Sequence, residues 1–322
     1  MVINHLLLPN LNINNEKAVP EVYKRILEGY LDYLNTALEY ESIAMSEVVA
    51  GVISELILYN EIKHDWFLII KDLLEYDELP ISYSKNYGEK LYGFNSQWLQ
   101  HTVHATYNHS FIMNLLNKSQ FDYSSIILDL VQPDGYIYNK KVSATNPRTR
   151  MKSELLMSLA MGLSLIDSSR IPEQCIVKIK TFDKTEFVTA EYFKLFCLKL
   201  LKIDNLETYC NYNDILLERC FTGTGYADFN VQDKVDDYMG TLKRTARDKS
   251  VASPLITVYA GEIAEVLGSS TLDLYNSNKE KYIQHLSLNP LDITAYKMRD
   301  LNADFGESIT PFEIFSTIIL NN

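Results

Sequence analysis

Pro20-Glu21-Val22-Tyr23-Lys24-Arg25-Ile26-Leu27-Glu28-Gly29-Tyr30-Leu31-Asp32-Tyr33-Leu34-Asn35-Thr36-Ala37-Leu38 sets its apolar side chains at Val22, Ile26, Leu27, Tyr30, Leu31, Leu34 and Leu38. Steps of three and four residues put these on one stripe of an α-helix, and Glu21, Lys24, Arg25, Glu28 and Asp32 fall on the opposite face. The same period recurs over 42–59, 61–76, 96–117 and 122–131, the last stopped by Pro133-Asp134-Gly135. It returns over 147–166, 189–202, 212–220, 231–246, 254–267, 271–286, 290–301 and 311–320. In the 147–166 segment Leu155, Leu159 and Leu163 stack on one face, while Ser158, Ala160, Gly162 and Ser164 keep other faces thin enough for close neighbours.

Only Cys175-Ile176-Val177-Lys178-Ile179-Lys180-Thr181-Phe182-Asp183-Lys184-Thr185-Glu186-Phe187 alternates apolar and polar positions, which predicts a small hairpin turning at Asp183-Lys184. The expected class is therefore all-α, a packed bundle or helical array with at most one small β-hairpin near 175–187. An acidic, tyrosine-rich helical part over 1–167 and a second helical part over 188–322 are expected within one continuous globular unit, with a subdomain break near 168–188.

A chain of 322 residues with 47% apolar residues can bury a large core. Its apolar runs fall far below the roughly 20 residues that span a bilayer. The opening Met1-Val2-Ile3-Asn4-His5-Leu6-Leu7-Leu8-Pro9 has neither the positive flank nor the apolar length of a secretory signal. Cys175, Cys197, Cys210 and Cys220 show no C-x-x-C spacing and are expected as reduced core thiols of a cytoplasmic, bacterial protein, with no membrane partner.

The formal net charge is -12, and it is unevenly spread. Residues 1–130 carry 17 acids against 8 Lys and Arg, a balance of -9; residues 131–322 carry 25 against 22, a balance of -3. Such acidity argues against sequence-independent coating of DNA, which needs many phosphate contacts, but leaves room for a local basic site in the C-terminal part.

Two basic clusters fill that role. Arg148, Arg150 and Lys152, and Arg244, Arg247 and Lys249, hold four of the eight arginines and share the pattern R-x-K-S at Arg150–Ser153 and Arg247–Ser250. Each stands at or shortly before a helix start marked by Pro147 or Pro254. A helix start is positive, so cations gathered there call for an anion between them: a carboxylate of the protein, or a phosphate or carboxylate of a ligand. Arg150 and Arg247 are expected to face a common volume. The competing expectation is local neutralisation by Asp134, Asp233, Asp236, Asp237 and Asp248. Thr222-Gly223-Thr224-Gly225-Tyr226 reads either as a backbone nest for the same anion or as the stop of the helix ending at Cys220.

Metal and cofactor signals are weak, and none of either is expected. His101 and His104 share a helical face, but His109 lies about 140° around from His104. Glu61-Ile62-Lys63-His64 has the spacing of one half of a di-iron carboxylate site, and the second half is missing from the chain. No G-x-S-x-G, Walker or H-E-x-x-H pattern occurs, so catalytic residues are unassigned. The 22 tyrosines, many at amphipathic helical positions such as Tyr23, Tyr30, Tyr33, Tyr40, Tyr59 and Tyr76, favour an interaction surface.

The expectation is thus a helical binding or scaffolding subunit of a larger assembly. Its partners would be other protein subunits or further copies of itself, and its anion site would take a nucleotide, a nucleic-acid backbone or an acidic partner. The alternative is a helical enzyme acting on a phosphate-bearing substrate through Asp134, Asp236 and Asp237.

Overall fold

A computed structural model describes residues 2–6, 8–12, 19–39, 42–66, 82–84, 102–118, 122–138, 152–182, 185, 187–210, 213–228, 252–290, 293 and 311–321. They form a mainly helical protein with two compact units, Lys24–Phe182, and Met1–Tyr23 together with Asp183–Asn322. The first 23 residues group with the C-terminal part.

In the first unit α1 (Glu21–Glu39), which starts three residues before the unit itself, buries Leu27, Leu31 and Leu34, the heart of its apolar stripe. The strands β3 (Ser42–Ala44) and β4 (Ser82–Ser84) pair antiparallel, and α2 (Met45–Tyr59) follows β3 directly. α2 packs on α3 (Thr102–Leu115), which also meets α4 (Tyr123–Leu128) and α5 (Lys152–Leu165). α4 is capped by Asp122, whose carboxylate accepts from Ser125 N at 3.1 Å. After α4 the chain reverses through Pro133-Asp134-Gly135, with Val131 and Ile137 bridged. α5 buries Leu155, Leu156, Leu159, Ala160, Met161 and Leu163. Its small residues allow the expected close approach: a Cβ at Gly162 would sit 2.8 Å from Ile137 Cδ1.

The predicted hairpin near 175–187 is overturned. Residues Glu173–Lys180 form a helix, α6, with Pro172 just before it, Glu173 in the first turn and Lys178 and Lys180 in the last. Proline and acid at the start and lysines at the end suit the helix dipole. Cys175 and Ile179, four residues apart, face inward while Val177 is 50% exposed, so the apolar alternation was one helical pair plus one surface valine. The strands lie elsewhere, in β3–β4 and in the N-terminal pair of the second unit.

That pair, β1 (Val2–His5) and β2 (Leu8–Asn12), is antiparallel, and β2 packs on the last helix, α12 (Pro311–Asn321). Between them lie α7 (Val188–Leu200), α8 (Leu206–Cys210), α9 (Asn213–Cys220), α10 (Pro254–Leu267) and α11 (Ser269–Leu288). α10 is the hub: α7, α8, α9, α11 and α12 all pack against it. It is apolar over most of its surface, with Glu262 and Glu265 left at its outer edge. Tyr259 of α10 stacks on Tyr192 of α7 with centroids 4.1 Å apart, and the Tyr192 hydroxyl donates to Leu6 O at 2.8 Å. At Gly261 a Cβ would lie 2.6 Å from the Tyr275 hydroxyl of α11, so glycine sets how closely α10 and α11 approach. Gly261→Ala is expected to destabilise the protein by about 1–3 kcal/mol through overpacking, read as a lowered urea midpoint; a midpoint equal to wild type would show that the crossing tolerates the methyl group.

Candidate functional site

Lys152 is the first residue of α5. Arg148, Arg150, Arg244, Arg247 and Lys249 lie outside the described residues, as do Asp233, Asp236, Asp237 and Asp248. The two clusters fall in the chain ranges of different compact units. Asp134 is exposed, and its carboxylate accepts from Tyr136 N at 3.1 Å, closing its own turn. Three of the described cations sit with partners of the protein: Arg170 lies 3.8 Å from Asp122 and 4.0 Å from Asp167, Lys199 lies 3.3 Å from Glu262, and Lys178 lies over the Tyr136 ring.

The glycine pattern at 222–226 is a tight turn. Phe221 and Tyr226 are bridged, Thr222 N donates to Gly225 O at 2.9 Å, and the Gly225 amide points at the Thr222 hydroxyl oxygen at 3.3 Å. The chain's own hydroxyl occupies the place an anion would take in a nest, and Gly223 supplies the positive φ, +98°.

The helix start after the second basic cluster is met by a carboxyl group of the protein itself. Ser253 caps α10, with Pro254 in its first turn. The Glu313 carboxylate of α12 accepts from Leu255 N at 3.2 Å and from the Ser253 hydroxyl at 3.1 and 3.2 Å. Burial pushes this carboxyl up to about 7, against the pull of the Leu255 amide and the Ser253 hydroxyl. Sequence reasoning overlooked Glu313; the available signal was an acid inside the apolar run Phe312-Glu313-Ile314-Phe315.

A second overlooked acid organises the first unit. Glu55 interrupts the apolar run Val52-Ile53-Ser54-Glu55-Leu56-Ile57 and is fully buried in α2. Its Oε2 accepts from Trp66 Nε1 at 2.8 Å and Lys63 N at 3.0 Å; its Oε1 accepts from His64 N at 3.2 Å and pairs with His64 Nδ1. His64 therefore answers to Glu55 rather than to Glu61, which is exposed. The carboxylate holds the ring by Nδ1 and leaves Nε2 as its other polar atom, on a side chain 35% exposed. This is the arrangement in which a carboxylate orients an imidazole, and Trp66 packs beside the ring at 5.4 Å.

The helix of the other histidines buries them. His104 and His109 are inside α3, and His109 Nδ1 lies 2.8 Å from the Tyr123 hydroxyl; burial lowers the His109 imidazole to about 4, so it stays neutral. His101 lies outside the described residues. All four cysteines are unbridged and buried. No protein family model, no characterised protein and no solved structure matches the chain.

Two outcomes follow from these acids. Glu55→Gln turns an amide N–H₂ toward groups that themselves donate, and should cost about 2–3 kcal/mol. Urea unfolding would show the loss, and the Trp66 emission should shift blue as its buried indole N–H loses a carboxylate acceptor; unchanged emission and midpoint would count against the lock. For Glu313 the folded value, about 7, exceeds the ordinary 4.5, so the folded chain binds the proton more tightly. Its contribution is full below pH 4.5 and is lost as pH rises through 7. The stability difference between wild type and Glu313→Gln should therefore fall across that window and level off above it, as measured by urea titrations at stepped pH.

Proposed function

We propose that this chain is a helical binding subunit of a larger assembly, docking a protein of complementary basic surface on the outward face of α1. The observation that carries this reading is Tyr33, 53% exposed on that face. Glu21, Glu28 and Asp32 are exposed on the same helix, with Arg25 the basic residue among them. The Tyr33 hydroxyl donates to Glu47 Oε1 at 3.3 Å, and its ring lies 6.1 Å from that of Tyr30. The Glu47 charge, with burial, raises the Tyr33 phenol above its ordinary range, so the ring stays neutral. A rigid aromatic ring fixed at its hydroxyl and bordered by acids has the makeup of an interface anchor with a polar rim.

The anion site belongs to the same reading. Arg148, Arg150 and Lys152 at the start of α5 would bind the phosphate or carboxylate of a nucleotide, a nucleic-acid backbone or an acidic segment, with Arg244, Arg247 and Lys249 as a second basic group. What supports it is the sequence pattern: α5 opens on Lys152, with Arg150 and Arg148 two and four positions before it. The four buried, unbridged cysteines suit work in the reducing cytoplasm, and among the described residues no helix is long and apolar enough to cross a membrane.

The test is native mass spectrometry of the protein purified gently from its host. Wild type should carry a stoichiometric protein partner that Tyr33→Ala with Asp32→Lys releases, while circular dichroism stays unchanged; a wild type that runs as a bare monomer would remove the proposal. For the anion site, fluorescence anisotropy with a labelled single-stranded oligonucleotide should weaken at least about tenfold on Arg148→Ala with Arg150→Ala, and wild-type affinity should fall as salt rises.

A further inference from the structure

The pairing of Glu55 with His64 does more than brace the segment after α2. Glu55 is fully buried, and its carboxylate is held by Trp66 Nε1, Lys63 N and His64 N as well as by the His64 ring. It cannot turn away. Because Nδ1 is the ring atom at the carboxylate, the neutral imidazole carries its proton on Nδ1 and its lone pair on Nε2. Trp66 flanks the ring at 5.4 Å and fixes its plane from one side. The ring is 35% exposed while the carboxylate has no exposure at all, so the exposed edge is the one that bears Nε2. A dissolved reactant therefore meets an oriented imidazole nitrogen.

Such a nitrogen can ligate a metal or attack an electrophile. Ligation calls for further ligands, and among the described residues no group of three His, Cys, Asp or Glu side chains gathers as a metal site would require. Attack asks for less. It needs the lone pair and a partner that stabilises the positive charge left on the ring, which is what a buried carboxylate on Nδ1 supplies. Of the groups an imidazole can accept, a phosphoryl group suits this position, because a phosphoimidazole outlasts an acylimidazole where water reaches the ring.

We propose that His64 is a phosphoryl-accepting residue, its Nε2 attacking the phosphorus of a phosphoramidate while Glu55 positions the ring and stabilises the imidazolium that forms. The Nε2 lone pair makes the new P–N bond as the donor's P–N bond breaks. Its electron pair leaves with the donor nitrogen, which is protonated in the donor and departs as a neutral amine. The Nδ1 proton stays in its hydrogen bond to Glu55. One P–N bond replaces another, and nothing is oxidised or reduced.

The experiment incubates the full chain with potassium phosphoramidate and follows phosphorylation at each histidine by peptide mass spectrometry, with N-acetylhistidine in the same solution. His64 should react at least about tenfold faster than the free imidazole, and phosphorus–proton correlation NMR should place the group on Nε2. Glu55→Gln, its fold checked by circular dichroism, should bring His64 down to the rate of N-acetylhistidine. A wild-type His64 no faster than N-acetylhistidine, a phosphoryl group on Nδ1, or a folded Glu55→Gln that reacts as wild type would each overturn the assignment. If that variant does not fold, the wild-type rate and the position of the phosphoryl group decide alone.

Discussion

α10 begins in the interior, with Ser253, Pro254 and Ile256 buried, and a helix start so placed cannot send its first backbone N–H groups to water. Those donors must be met from within the protein. Ser253 and Glu313 meet them, the serine from the cap position and the glutamate from α12 at the far end of the sequence. The consequence reaches the whole second unit, because α7, α8, α9, α11 and α12 all take their places against α10. The carboxylate needed to finish the hub comes from the helix that covers it, so capping α10 and docking α12 are one event.

The first unit solves a related problem with the same kind of group. α2 is buried along most of its length, and the segment after it must turn back without leaving amides bare. Glu55 gathers the amides of Lys63 and His64, the His64 ring and the Trp66 indole on one carboxylate. A buried carboxylate is costly when alone and stable when surrounded by donors. In both units the acid sits on an apolar helix and binds residues from a different segment, which ties local structure to tertiary structure.

These internal acids also bear on how the cations are read. A chain with net charge -12 invites the view that its acids are a solvated coat and its few arginines the special residues. Here Glu55, Glu191 and Glu313 are buried and each has defined donors or a counter-charge, while Arg170 stands at the surface beside Asp122 and Asp167. The solvent face of α1, by contrast, keeps its acids around an exposed tyrosine, and on that face charge and aromatic surface are offered together.

Local sequence pattern determined the helical class, the stripe of α1, the buried and thin character of α5, and the turn at Pro133-Asp134-Gly135, because each depends on residues a few positions apart. It misread 175–187, where alternation of period two and a helical pair of spacing four share the same letters, and only Pro172, Glu173 and the closing lysines separate them. The partners of Glu55, Glu191 and Glu313 were legible only as acids interrupting apolar runs. Their donors stand 8 to 11 residues away for Glu55, six for Glu191, and 58 to 60 for Glu313. Local pattern is set by the helical repeat, and that repeat is written in the sequence; which distant donor meets a buried carboxylate is set by packing, and packing exists only once the chain has folded.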